Sequence, residues 1–313
     1  MKKQLLALFT VVLTTLSASA QKPDSALAMI HYKYSWIRDT TRRDTPYTEN
    51  MILFVGQNAS AYKSYDRKMQ NDLVRKQIAE QMAANGGMGG NINIKRGGPR
   101  GGSSTEFYQF PNENKLVRKE SLLSSYLIEE PMPAIKWKIS ADTLTIRNLH
   151  CQKASTHFKG RDYTAWFCPE LPYRSGPWKL NGLPGLIVEA YDTKKEVVFK
   201  FDGIDPVVKG PKPADPMAQA APGGMRVMMI GGDDSSADPN LIALPANGVK
   251  TTDKEFANLQ EAMRKDPNAF IQSMMAGSGM NMKPGPGGNS MNIKVNPAPA
   301  PTINNPVELP EKK

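Results

Sequence analysis

The chain has 313 residues, of which 40% are hydrophobic and 22% charged, with 25 glycines, 25 prolines and a formal charge of +10. It is too apolar for a wholly disordered chain and too poor in glycine for a collagenous one. One folded core carrying long loop insertions is expected.

The opening MKKQLLALFTVVLTTLSASA combines two lysines, an apolar run from Leu5 to Leu13, and the small residues Ala18 and Ala20 ahead of Gln21. That is the pattern of a secretory signal peptide over residues 1–20, with an apolar stretch too short to cross a bilayer comfortably. Gln21 stands where a lipoprotein would carry cysteine, and no later run reaches the length of a membrane span. The mature chain is therefore expected to be exported, periplasmic or extracellular, without a lipid anchor or an integral membrane segment.

From Ser25 to Asp39 and again from Asn50 to Asp66, aromatic and β-branched residues alternate with polar ones, which predicts strands. Between Arg67 and Ala84 the period changes: Leu73, Val74, Ile78 and Met82 share one helical face and Asp72, Arg75, Lys76 and Glu80 the other. A Gly-rich stretch over 85–104 then has too little apolar surface to fix its backbone and predicts a mobile loop. Short strand-like runs follow from Thr105 to Gly203, separated by turn residues such as Pro111-Asn112, Lys159-Gly160 and Asp192-Thr193. Sequential short strands with short turns favour antiparallel neighbours. The fold class is thus mainly β: a curved antiparallel sheet, half-barrel, bowl or sandwich-like, with one inserted helix, over residues 21–205. Residues 206–250 read as a linker. Thr252 and Glu255 have the spacing of a capping box, and Asp266-Pro267 opens a second short helix, so two helices are expected within 251–276. Proline, glycine and asparagine dominate 277–313, which predicts a disordered tail.

The two cysteines can be placed by register. If Lys159-Gly160 is a two-residue hairpin loop, Phe158 pairs with Arg161. The same register then sets His157 opposite Asp162, Ala154 opposite Ala165 and Cys151 opposite Cys168. In an oxidising compartment that predicts a cross-strand disulfide, contributing about 3 kcal/mol through the unfolded chain.

The run CQKASTHFKGRDYTAWFCPELPYRSGPWKLNGLPGLIVEAYD, from Cys151 to Asp192, carries a resemblance. It includes Gly160-Arg161, Ala165-Trp166-Phe167, Leu171-Pro172, Gly176-Pro177-Trp178 and the hexapeptide Gly182-Leu183-Pro184-Gly185-Leu186-Ile187. In these residues the chain resembles the GLPGLI family of exported proteins found mainly in Bacteroidota, a family without an established activity. The resemblance implies a β-rich envelope protein and a likeness in fold to the bowl-shaped N-terminal module of some secreted peptide-N-glycosidases. That module is not their catalytic one, and a shared fold does not carry chemistry across. Physically, Pro177 and Pro184 fix φ while the glycines permit positive φ or close backbone approach. The motif is then either a packing corner plugged by Trp178, or part of a groove in which Trp166, Tyr173 and Trp178 receive a peptide, glycan or lipid.

Catalytic signatures are sparse. Only His31, His150 and His157 are available, and no G-x-S-x-G, H-E-x-x-H or Walker loop occurs. Glu129-Glu130 and Asp233-Asp234 read better as solvated charge than as the acid and base of a polymer hydrolase. Methionine concentrates after Met217, where Met225 and Met228 have M-x-x-M spacing and Met280 and Met282 M-x-M spacing, so soft thioether coordination of Cu(I) is one alternative. Lys95, Arg96 and Arg100 lie among glycines, but export argues against nucleic acid as a partner. The expectation is a non-catalytic, exported cell-envelope accessory or binding protein, needing no cofactor, with an envelope protein, peptide or glycan as partner. Copper binding by the methionines and hydrolysis of an envelope polymer are the alternatives.

Overall fold

The computed structural model describes residues 23–84, 102–122, 124–207, 240–277 and 302–311. The leader, most of the Gly-rich stretch and Met225, Met228, Met280 and Met282 lie outside the described residues. No helix among the described residues is long and apolar enough to cross a membrane.

The strands are β1 (Asp24–Ser25), β2 (Ala28–Trp36), β3 (Tyr47–Val55), β4 (Ser60–Ser64), β5 (Glu106–Phe110), β6 (Lys115–Ser121), β7 (Ser125–Pro131), β8 (Lys138–Ile146), β9 (Leu149–Phe158), β10 (Arg161–Cys168), β11 (Leu186–Asp192), β12 (Val197–Pro206), β13 (Leu241–Ile242) and β14 (Val249–Thr251). The helices are α1 (Tyr65–Ala84), α2 (Asp253–Lys265) and α3 (Pro267–Gly277). Among the described residues twelve strands form one sheet in the order β14-β7-β6-β5-β4-β3-β2-β12-β11-β10-β9-β8. Two meanders of hairpins, β2 to β7 and β8 to β12, meet where β2 pairs with β12 from Val197↔Trp36 to Pro206↔Ala28. The sheet is curved and mainly antiparallel as expected, with one exception: β14 runs parallel to β7, Lys250 opposite Leu127. Residues 240–251 are thus not wholly linker. β13 pairs with β1 and buries Ile242.

Alternation sorts the apolar side chains onto two faces. In β3, Met51, Leu53 and Val55 join Ile30 and Tyr32 of β2, Phe199 and Phe201 of β12 and Ala165 of β10 in the main core. Ile52 and Phe54 point the other way, against Ala26, Tyr108, Val117 and Ile242. With both faces covered, β3 reads as a run of buried residues rather than as alternation.

The local signals decide the ends of the helices. Thr252 accepts from the Glu255 amide at 3.2 Å and the Glu255 carboxylate accepts from the Thr252 amide at 2.9 Å, which completes the capping box of α2. Asp266 caps α3 by accepting from the Ala269 amide at 2.9 Å. Phe256 of α2 seats against Tyr126 of β7, ring centres 5.5 Å apart.

Candidate functional site

The connection from β10 to β11, residues 169–185, folds across the face of the main core and carries the hexapeptide. Trp178 is buried at φ +56°, an unusual conformation for a bulky residue. Its ring stacks on Phe199 with centres 6.3 Å apart and tilts against Phe158 and Tyr163. Its carbonyl accepts from the Gln109 amide of β5 at 3.0 Å, joining this connection to the other meander. Pro177, Leu183, Leu186 and Ile187 are buried beside it, whereas Gly182 and Pro184 are exposed. Two glycines are demanded by contact. A Cβ on Gly185 would lie 2.3 Å from the Cys168 carbonyl oxygen, and one on Gly176 would lie 2.9 Å from the Ile187 side chain. Of the two readings of the motif, the buried Trp178 fits the packing corner, and Trp166 and Tyr173 pack against the same core. The left-handed turn at Trp178 drives its ring into the core, while Trp166 alternates with the buried Ala165 and Phe167 and remains part-exposed, as does Tyr173.

The hairpin register is as expected: Arg161 pairs with Phe158, Asp162 with His157 and Ala165 with Ala154. Lys159 and Gly160 sit at φ +52° and +71°, the two left-handed positions of a tight hairpin turn. The expected disulfide, however, is not formed; Cys151 and Cys168 are free, buried thiols. The β9–β10 ladder runs unshifted to Phe167↔Gln152, the pair next to Cys168 and Cys151, while the bulge after Trp166 belongs to the β10–β11 ladder, where Cys168 pairs with Leu186. Cys151 Sγ donates to the Leu149 carbonyl at 3.4 Å. Burial first, and then the neighbouring Cys168, push its thiol up to about 12.

A different site emerges beside this turn, built on Arg161. Its guanidinium is buried at the start of β10, where every donor must find an acceptor. Nη1 donates to Asp192 Oδ2 at 2.7 Å and Glu196 Oε2 at 3.2 Å. Asp192 is fully engaged, because its other oxygen accepts from the Glu196 and Val197 amides at 2.7 and 3.0 Å. Burial opposes the charge of Glu196, but hydrogen bonds from Arg43 and Arg161 outweigh it and hold that carboxyl below its usual range.

The other donors of Arg161 reach a segment more than 140 positions away. Nη2 donates to Asn305 Oδ1 at 2.6 Å and to the Pro306 carbonyl at 2.7 Å, and Nε to the Val307 carbonyl at 2.9 Å. Residues 302–311 therefore form a docked strap, and the expected disorder of 277–313 does not hold there. Asn305 is buried. Its amide nitrogen donates to the Ile37 carbonyl at 2.8 Å and Glu196 Oε2 at 3.1 Å, and its carbonyl accepts from Trp36 Nε1 at 2.8 Å. Asn304 engages Arg38, Asp39 and Thr40. Val307 packs on the main core.

Further along, Glu308 bridges Lys159 at 3.1 Å and Lys179 at 2.9 Å. Lys179 lies within the family-like run, is itself buried, and is also held by Glu130 of β7 at 3.0 Å. Partial burial works against the charge of Glu308, but the two lysines outweigh it and keep the carboxyl below its ordinary range. The Leu309 amide donates to the Lys159 carbonyl at 3.0 Å. A Cβ on Gly160 would come 2.6 Å from the Leu309 carbonyl oxygen, so the strap needs that glycine as much as the turn does. At the rim, His157 contacts Asp162 at 2.6 Å, as the register implies, and Glu311 at 2.9 Å.

Sequence reasoning met Arg161 and Asp192 only as motif and turn residues and gave no site role to Arg161, Lys179, Asp192, Glu196 or Asn305. The available signal was a cation directly after a tight turn, on the inward parity of β10. Chemically, the arrangement holds and desolvates an extended backbone.

A family model described as a protein of unknown function, Porph_ging, matches residues 156–189. That stretch contains Lys159, Gly160, Arg161, Lys179 and the hexapeptide. The link it supports is to a family of unknown function over a short stretch, which is coarser than the GLPGLI resemblance. No curated protein matches. Among solved structures, a chain of PNGF-II in a C2 crystal form is similar at 10% identity with a TM-score of 0.46, covering 75% of this chain and 32% of its own. PNGF-II in a P21 form matches at 10% identity and a TM-score of 0.42, covering 61% of this chain and 30% of its own. The chain spans about a third of the length of those proteins.

Proposed function

We propose that the protein is an exported, non-catalytic accessory protein of the cell envelope that binds an extended peptide in the channel around Arg161. The observation carrying this reading is that a buried guanidinium directs three donors at the strap, two of them at main-chain carbonyls. Main-chain acceptors exist on any extended peptide, and buried N–H groups of Arg161 left without acceptors are costly although Nη1 stays paired with Asp192 and Glu196, so the channel favours an occupied state. The carboxylates beside Arg161 are committed to the guanidinium and to backbone amides, which suits them to positioning. The pre-formed turn at Lys159-Gly160 and the buried Lys179 extend the channel without further ordering, which favours affinity.

The reading is tested with the full chain carrying Asn305→Ala and Glu308→Ala, which loosens its own strap, and a fluorescent peptide of sequence TINNPVELPE. Saturable binding that Arg161→Ala weakens at least tenfold is expected from fluorescence anisotropy. Absence of saturable binding in a folded, loosened chain overturns the reading.

A further inference from the structure

The peptide-binding reading leaves open which peptides enter and what keeps the channel filled. We infer that the channel selects extended segments of other proteins with the pattern Asn-Pro-apolar-Glu, and that residues 304–311 are a built-in competitor for that site. This inference rests on the peptide-binding reading above and deepens it.

Each position of the strap argues for its residue type. At Asn305 the pocket presents one acceptor pair, the Ile37 carbonyl and Glu196, and one donor, Arg161. An amide satisfies both at once. Aspartate would set a second carboxylate against Glu196, and alanine would leave Arg161 and Glu196 short of partners in a buried site. Sites built around buried hydrogen bonds reject analogues that lack them. At Pro306 the missing N–H costs nothing, since only its carbonyl is engaged, and its fixed φ reduces the ordering needed on binding. Val307 seats on the apolar core. At Glu308 two lysines converge, one of them buried, so a carboxylate is required there. Glu311, by contrast, meets the half-exposed His157 at the rim, where an ion pair contributes little.

Because the strap belongs to the same chain, it faces the channel at an effective concentration that a free peptide must exceed. The consequence reverses the usual sign of a mutation. A change that weakens the strap should strengthen capture of a peptide from outside.

The test titrates fluorescent TINNPVELPE into the wild-type full chain and into the full chain carrying Asn305→Ala and Glu308→Gln. The loosened chain is expected to bind roughly tenfold or more tightly than wild type. On the loosened chain, peptides with alanine or aspartate at the position of Asn305 are expected to bind roughly a hundredfold more weakly. Glutamine at the Glu308 position should cost about tenfold, and glutamine at the Glu311 position less than about threefold. Equal binding of all these peptides overturns the selectivity while leaving peptide binding intact. Equal binding by wild-type and loosened chains overturns the competitor role. No binding of any peptide by a folded, loosened chain removes the underlying reading. Dimerisation of the wild-type chain that rises with its concentration and depends on Asn305 would make a second copy the occupant, again overturning the competitor role. Where the double variant does not fold, deuterium uptake at Leu309 in the wild-type chain is followed as unlabelled peptide is added. A rise supports displacement, and unchanged uptake at saturating peptide overturns it.

Discussion

Arg161 holds together groups that would otherwise repel or remain unpaired. Replacing it with alanine leaves Asp192 and Glu196 as adjacent buried carboxylates and removes three hydrogen bonds to the strap. A loss of about 3–5 kcal/mol is expected from urea unfolding, together with rapid amide exchange at Leu309. Arg161→Lys should recover little of it, because a lysine has three donors on one atom and cannot span both sides of the channel. A loss under 1 kcal/mol with Leu309 still protected would contradict this account. Docking of the strap should also depend on pH in two directions. Against the opposing effect of burial, Lys179 and Lys159 hold the docked Glu308 carboxyl below its ordinary range, so its contribution is present above the usual carboxylate pKa and is lost as pH falls through the depressed value. The imidazole of His157 is raised, by Asp162 first and Glu311 second; the Glu311 part belongs to docking, is complete below the ordinary imidazole pKa and is lost as pH rises through the raised one. Protection of Leu309 is therefore expected to be greatest in mildly acidic solution, and exchange followed across pH checks this. Since His157 is half exposed, the alkaline decline should be the shallower one and should weaken with salt.

Elements whose causes are local were legible in the sequence, and those whose causes are distant were not. The turn at Lys159-Gly160 fixes its own register through residues next to it, and the caps at Thr252 and Asp266 satisfy amides three positions on. Thr252→Ala should cost about 1 kcal/mol, visible in thermal unfolding of α2. The strap shows the opposite case. Asparagine, proline and glutamate give it the composition of a disordered tail, and its order comes from Arg161, Trp36 and Lys179, which its own sequence does not reveal. The hexapeptide falls between the two. Its prolines and glycines announced a rigid corner, but nothing local told whether Trp178 turns inward, which depends on Phe199 and Gln109. Gly160→Ala separates the two roles of that glycine. The turn alone would lose roughly 1 kcal/mol from the positive φ, whereas the collision with Leu309 should also release the strap. Faster exchange at Leu309 with β9 and β10 still protected is the expected outcome.

At the scale of the molecule, the two free thiols test how far geometry can substitute for a bond. Both are buried and interact, and the high pKa of Cys151 leaves almost no thiolate to start an oxidation. Labelling is therefore expected to be slow in the native protein and to reach both thiols in denaturant. If oxidation links them, closing that short loop should raise stability by about 3 kcal/mol, read as a higher urea midpoint without reductant. The order of the sheet has a temporal consequence. β2 emerges near the beginning of the chain but sits in the middle of the sheet, and its partner β12 ends at Pro206. Apart from the outer side of β7, which waits for the short strand β14, the other strands of the first meander can pair with neighbours soon after they are made, whereas one side of β2 stays open until nearly all of the second meander has followed. An unpaired strand of that length invites wrong partners. Synthesis of the chain from one end should therefore leave a prolonged interval in which β2 needs a chaperone or a protecting surface, and refolding should be limited by the closure of β2 on β12.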